Sequence, residues 1–194
     1  MSEGLAKIRN ARSKKDFPFL KLDDDEYVEF AFSRAKICLF MIFAGVAGGL
    51  ILILLAFLMI LLGQSMMDAA GQHFMYIILA CLVVAALLIG GVSIMVYRGN
   101  RLFITNKHAI QMVMKSPVVT SMNVIDLPSI EDASFHQNGL MQKIFGYGTF
   151  RLATVGDETT YTFEYSDVTT EELRAVSKLV TESKQKKKHH AAEE

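Results

Sequence analysis

Two long apolar runs interrupt a chain that is otherwise polar or alternating. Residues 37–62 and 74–97 contain no Asp, Glu, Lys, Arg or His, and they are apolar all round rather than along one stripe. Each exceeds the roughly 20 residues with which a helix crosses a hydrocarbon slab of about 30 Å. Between them, residues 63–73 hold Gly, Gln, Ser and Asp68 and read as a short exposed loop. The pair is therefore expected to form a transmembrane hairpin. Two buried helices of a soluble protein are disfavoured, because each run is too long and too uniform on all sides. A signal peptide would start nearer the N terminus and have a shorter apolar stretch.

After residue 98 the apolar period changes to two, which predicts strands over 101–106, 108–115, 118–127 and 130–137. Gly146-Tyr147-Gly148 opens another, with Phe150 and Leu152 on one face, and Tyr161, Phe163 and Tyr165 alternate in the last. Ser116-Pro117 and Gly156-Asp157 supply turns, Pro128 stops a strand, and residues 139–145 read as a loop or a single helical turn. Ile130 is out of phase with Ala133 and Phe135, which predicts a bulge. Thr169 and Glu172 form a capping box, Val168 and Leu173 a hydrophobic staple, and Leu173, Val176, Leu179 and Val180 one apolar stripe. A helix from about residue 169 is thus expected to cover the open end of the sheet. Upstream of the hairpin, Val28, Phe30 and Phe32 alternate with Glu29 and Ala31, predicting a strand over 26–32 that docks on the same domain. The expected organisation is an N-terminal segment (1–36), a hairpin (37–97), an all-β domain (98–182) and a polar basic tail (183–194).

Charge orients this arrangement. Lys7, Arg9, Arg12, Lys14, Lys15, Lys21, Arg34 and Lys36 precede the first run, Arg98, Arg101 and Lys107 follow the second, and the connector has no Lys or Arg. By the positive-inside rule both termini are expected in the cytoplasm, at the plasma membrane. Formal net charge is zero and no basic, aromatic-studded stripe occurs, which argues against nucleic acid as a partner.

Candidate chemistry is sparse. Cys38 and Cys81 both fall inside apolar runs, at depths on the order of 20 Å apart, too far for a disulfide. No metal or cofactor spacing is visible, and Ser134 and His136 lack the acid partner and nucleophile elbow of a hydrolase, so no enzyme is expected. The absence of ionisable groups within the spans disfavours a channel or carrier. Gly45, Gly48 and Gly49 in the first run, and Ala86, Gly90 and Gly91 in the second, are candidates for close helix packing within the hairpin or between copies. Lys7, Arg9, Arg12, Lys14, Lys15, Lys186, Lys187 and Lys188 are candidates for contact with anionic lipid, at about 1 kcal/mol per basic residue held at the surface.

Three blocks carry a family resemblance. They are Thr105-Asn106 with Ile110; Leu127-Pro128 with Ile130 and Ala133; and Ile144-Phe145-Gly146-Tyr147-Gly148-Thr149 with Arg151-Leu152. Together with Glu26, Val28 and Arg34 upstream, where Asp25 replaces a usual glycine, this pattern resembles the bacterial pleckstrin-homology (PH) domain membrane-protein family. The resemblance implies a two-helix anchor and an antiparallel sandwich or barrel of short strands capped by a C-terminal helix. It also implies a non-catalytic module at the inner face of the plasma membrane that scaffolds protein contacts. Alternatives are an anionic-lipid-binding peripheral module or an accessory subunit of a membrane transport complex. The expected partners are membrane lipids and other membrane proteins or a second copy, with no cofactor.

Overall fold

A computed structural model describes residues 3–63, 68–154 and 160–193. The turn expected at Gly156-Asp157, the middle of the connector (64–67) and the side chain of Lys188 lie outside the described residues. The apolar runs become two helices, α2 (Lys36–Leu62) and α3 (Ala69–Gly99), packed along each other and long and apolar enough to cross a membrane. α3 starts earlier than the loop reading placed it, because the Asp68 carboxylate accepts a hydrogen bond from the Gly71 amide (3.2 Å) and caps the first turn. Among the described residues of the pair, only Cys38, Leu79 and Gly90 are buried. Large side chains such as Phe40, Leu52, Leu58, Ile77 and Leu88 point outward around the hairpin.

Within the hairpin, the small residues contribute unequally. A methyl group added at Gly90 would lie 2.8 Å from a Val46 methyl, so the helices do approach closely there. At Gly45, Gly48, Gly49 and Gly91 an added methyl would find nothing within 4 Å. Ala86 is half-buried. The closest glycine approach in the hairpin is thus Gly90 against Val46, with Phe57 and Tyr76 in ring contact further along, and the GxxxG step of α2 is turned away from α3.

The alternating segments form two antiparallel sheets. β1 (Val28–Ser33), β2 (Arg101–Thr105), β3 (His108–Met114) and β4 (Thr120–Asp126) lie in that order in one sheet. β5 (Ile130–His136), β6 (Gly148–Thr154) and β7 (Thr160–Ser166) make the other. The sheets part at a 3-10 turn over Leu127–Ser129, where Pro128 cannot donate to a ladder. β5 carries a register shift between Ile130 and Asp132, where the broken alternation requires one. α4 (Leu140–Phe145) is a single short helix, and α5 (Thr170–Glu193) closes the fold. At its start the Thr169 amide donates to the Glu172 carboxylate (2.8 Å), and the Glu172 amide returns a bond to the Thr169 hydroxyl (3.3 Å). The core gathers Phe32, Leu102, Ile104, Ile125, Leu127, Ile130, Phe150, Leu152 and Phe163 under Val176 and Val180 of α5. Two antiparallel sheets and one C-terminal helix are consistent with a PH-like fold.

A further helix, α1 (Glu3–Asp16), precedes β1. The residues after it fold back on the outer face of the first sheet, where Phe17, Leu20 and Leu22 pack on Phe103 and Ile110. The chain path then gives the domain two ends. β2 leaves the hairpin and β3 returns, so the β3–β4 turn, α4 and the end of β7 lie at the hairpin end. Asn106-Lys107, the 3-10 turn and the later turns of α5 lie at the far end.

Candidate functional site

The hairpin is not a loose appendage. Its first helix is tied to the second sheet: the Ala35 amide donates to the Tyr165 carbonyl (2.6 Å), and Arg34 bridges Ser166. Its second helix is tied to the first sheet through the buried Asn100, whose side-chain amide donates to Val96 O (2.6 Å) and Met114 O (3.0 Å). Tyr97 joins the two attachments by donating its hydroxyl to the Arg34 carbonyl (3.0 Å).

Tyr165 departs from the alternation that its sequence suggests. β6 and β7 shift register between Gly148 and Phe150, and Tyr165 adopts a left-handed backbone, φ 58°. That conformation is uncommon for a residue with a β-carbon. The bulge turns Tyr165 off the core face, leaving Phe163 buried and Tyr161 packed beside it. The freed ring stacks on Tyr147 (centroids 5.9 Å apart), and the Arg34 guanidinium lies 5.9 Å from its centre.

A cavity of about 550 Å³ opens at this junction. Arg34, Lys115 and Tyr165 line it on the domain side, and Cys38, Met41, Ile42, Val92, Ser93, Val96 and Tyr97 on the helix side. Arg34 Nε and Ser166 Oγ are buried without a hydrogen-bond partner. A buried polar atom in that state costs about 1–3 kcal/mol.

The family-motif residues fall into two groups. Gly146 ends α4 in a left-handed conformation (φ 68°), Tyr147 is buried on Tyr165, and Gly148 sits hard against β5. Thr149 pairs with His136, and Arg151 pairs with Ser134 and Thr162 on the exposed side of β6. Phe145 is exposed, together with Leu140, Met141 and Ile144 of α4.

Thr105 and Asn106 belong to a polar clasp at the far end. Glu26 is 2% exposed, and its carboxylate accepts from the Thr105 hydroxyl (2.6 Å) and the Asp23 amide (3.3 Å). It also lies 2.8 Å from His108 Nδ1, while His108 Nε2 is 3.4 Å from Asp126. Asn106 accepts from the Tyr27 amide and donates to the Asp25 carbonyl, both at 3.0 Å. Asn10 of α1 donates to the carbonyls of Asp23 (2.6 Å) and Glu26 (2.5 Å). Burial pushes the Glu26 carboxyl up, but the bonds from Thr105, His108 and Asp23 outweigh it and hold the group below its ordinary value. Pro128 and Ile130 lie near this end, in the 3-10 turn and the core.

The basic candidates for lipid contact are dispersed. Arg9 pairs with Glu29 (2.9 Å), Lys14 with Asp24 (3.0 Å) and Arg12 with Asp16 (3.7 Å), while Lys7 and Lys15 are exposed on α1. Lys107 is held by Asp25 (2.6 Å) and Asp23 (3.8 Å). Lys186 and Lys187 line a cleft with Asn106 and Asp126, and Lys184 donates to the Glu131 carbonyl. The described part of the α5 basic run therefore lies at the end of the domain away from the hairpin, because α5 starts beside β7 and runs outward. Arg34 and Lys115, which the charge pattern did not single out as a site, are the basic residues that line the cavity.

No family model and no curated protein matches this chain. Among solved structures it is similar to a DUF1696 family protein with a pleckstrin-homology domain from Shewanella loihica PV-4, at 14% identity. That similarity covers 44% of this chain and 70% of the other, with a TM-score of 0.33.

Proposed function

We propose that this protein is a membrane-anchored, non-catalytic interaction module with a PH-like domain held at the inner face of the plasma membrane. The observation that carries the reading is the outward-facing apolar surface of both long helices, which a soluble fold would have to bury. Further support comes from the hairpin end of the domain. There Val118 (92% exposed) at the β3–β4 turn and Leu140 (74%) on α4 carry apolar side chains toward the level where the helices emerge. Both termini are on the cytoplasmic side in this reading, as the Lys and Arg distribution requires.

The contact surface we propose is the β4 edge. β4 lies at the end of its sheet, and Thr120, Ser121, Met122 and Val124 are exposed along it. An edge strand offers unpaired backbone groups to a partner strand. A photoactivatable residue at Met122 is expected to crosslink, in intact membranes, to a second copy or to another membrane protein, and one at Glu171 on α5 is expected not to. Absence of any protein adduct from Met122, or equal adducts from both positions, would remove the case for this edge.

A further inference from the structure

We infer that the cavity at the hairpin junction binds the phosphate of an anionic phospholipid from the inner leaflet. Arg34 and Lys115 hold the headgroup, and Met41, Ile42, Val92 and Val96 receive the start of the acyl chains. The inference rests on the membrane-anchored reading above. Its first support is a mixed lining: Arg34, Lys115 and Tyr165 come from the domain and its junction with the hairpin, Tyr97 and Ser93 from α3, and the aliphatic Met41, Ile42, Val92 and Val96 from both long helices. A water-soluble anion has no use for the aliphatic part of that lining, whereas an amphiphile matches all of it. The cavity, about 550 Å³, lies within the usual range of ligand pockets, roughly 300–1,000 Å³.

The second support is a preorganised cation. Arg34 lines the cavity, and its Nε, itself closed to solvent, makes no hydrogen bond among the described residues. The guanidinium is held at the Tyr165 ring, and its backbone is fixed by Tyr97 and Ser166, so the group is positioned before any ligand arrives. Lys115 stands on a β3–β4 turn closed by its own amide donating to Val119 O (3.0 Å), and it forms no ion pair among the described residues. Asp167 is near enough to act electrostatically on Tyr97, yet it makes no ion pair with Arg34 or Lys115. With two cations against the nearby carboxylate of Asp167, the site keeps net positive charge where a phosphodiester would sit.

The test uses the full chain in mild detergent, with native mass spectrometry of bound lipid across titrations of phosphatidylglycerol and phosphatidylcholine. One phosphatidylglycerol is expected to be retained per chain in preference to phosphatidylcholine. The double variant Arg34→Gln/Lys115→Gln is expected to bind it about 10- to 30-fold more weakly. Lys115→Gln alone changes an exposed side chain and serves as the variant whose folding is not in question; it is expected to lose about fivefold. Val92→Phe fills the cavity without altering charge and is expected to weaken binding too, whereas Lys7→Gln/Lys15→Gln is not. Inorganic phosphate at millimolar concentration is expected not to displace the lipid. Equal retention of the two lipids, unchanged binding by Lys115→Gln and the double variant, or displacement by inorganic phosphate would each overturn the proposal. Carbonate extraction of cell membranes reads the anchoring separately: a chain released into the soluble fraction refutes the membrane reading, while a chain retained there without lipid preference refutes only the site.

Discussion

Replacing Glu26 with alanine is expected to destabilise the domain by about 3 kcal/mol, because removing one member of a buried charged network leaves its partners unpaired. The Thr105 hydroxyl, the Asp23 amide and the His108 ring would all lose the Glu26 carboxylate, and the chain between α1 and β1 would lose one of its attachments to β2 and β3. At about 2–4 °C per kcal/mol for a chain of this size, the melting temperature in a fixed detergent should fall by roughly 10 °C. Glu26→Gln keeps the shape and one acceptor oxygen and should lose less. The contribution of the charge itself is read by pH. Since the folded carboxyl titrates below its ordinary value, its contribution is complete above about pH 4.3 and is lost as pH falls through the lower folded value. The wild type should therefore surpass Glu26→Gln near neutrality and converge with it under acid conditions. A melting temperature unchanged in Glu26→Ala would mean that the clasp holds nothing.

The second large effect is expected at Gly148. A methyl group there would lie 2.5 Å from the His136 carbonyl oxygen and 2.7 Å from the Phe135 ring. The first of these is backbone of the paired strand β5, so it cannot swing aside as a side-chain tip would. Relief requires β5 and β6 to part at their hairpin end, which should cost Gly148→Ala about 2–3 kcal/mol. The displacement would also disturb Tyr147 on Tyr165, next to the hairpin attachment. Gly146→Ala should cost less, about 1 kcal/mol, since its left-handed backbone is strained for alanine but the space around it is open. Denaturation of the two variants side by side checks the order; a larger loss at Gly146 would contradict it.

Both glycines come from the block that is most distinctive in the sequence, and the contrast illustrates what the chain makes legible. Periodicity identifies the long helices and the strands because burial on one face forces it: Phe150, Leu152 and Phe163 alternate and are buried together. The capping box at Thr169 and Glu172 is legible for the same local reason. α1 is not legible, since Leu5 and Ile8 are exposed and the helix is held by the polar Asn10 and Ser13, which carry no apolar stripe. Glu26 is opaque for a related reason: only tertiary pairing with residues some 80 positions later distinguishes a buried carboxylate from a surface one. Tyr165 misleads because a one-residue bulge reverses the face of everything beyond it.

The candidate sites follow the same division. Gly90 packs closely and Gly45 does not, because spacing alone leaves open which side of α2 faces α3. The lysines of α5 are conspicuous as a run, yet the direction of that helix carries them to the far end of the domain. Arg34 and Lys115 are separated by the whole hairpin in sequence, and they meet only because β1 and β3 both finish beside the emerging helices.

The hairpin's place in the bilayer is tested most directly by thiol accessibility in intact cells, in a Cys38→Ser/Cys81→Ala background. Asp68→Cys, between the two long helices, is expected to react with a membrane-impermeant maleimide added outside, and Glu171→Cys, on α5, only after permeabilisation. Labelling of Glu171→Cys from outside, or recovery of the chain in the soluble fraction, would contradict the account.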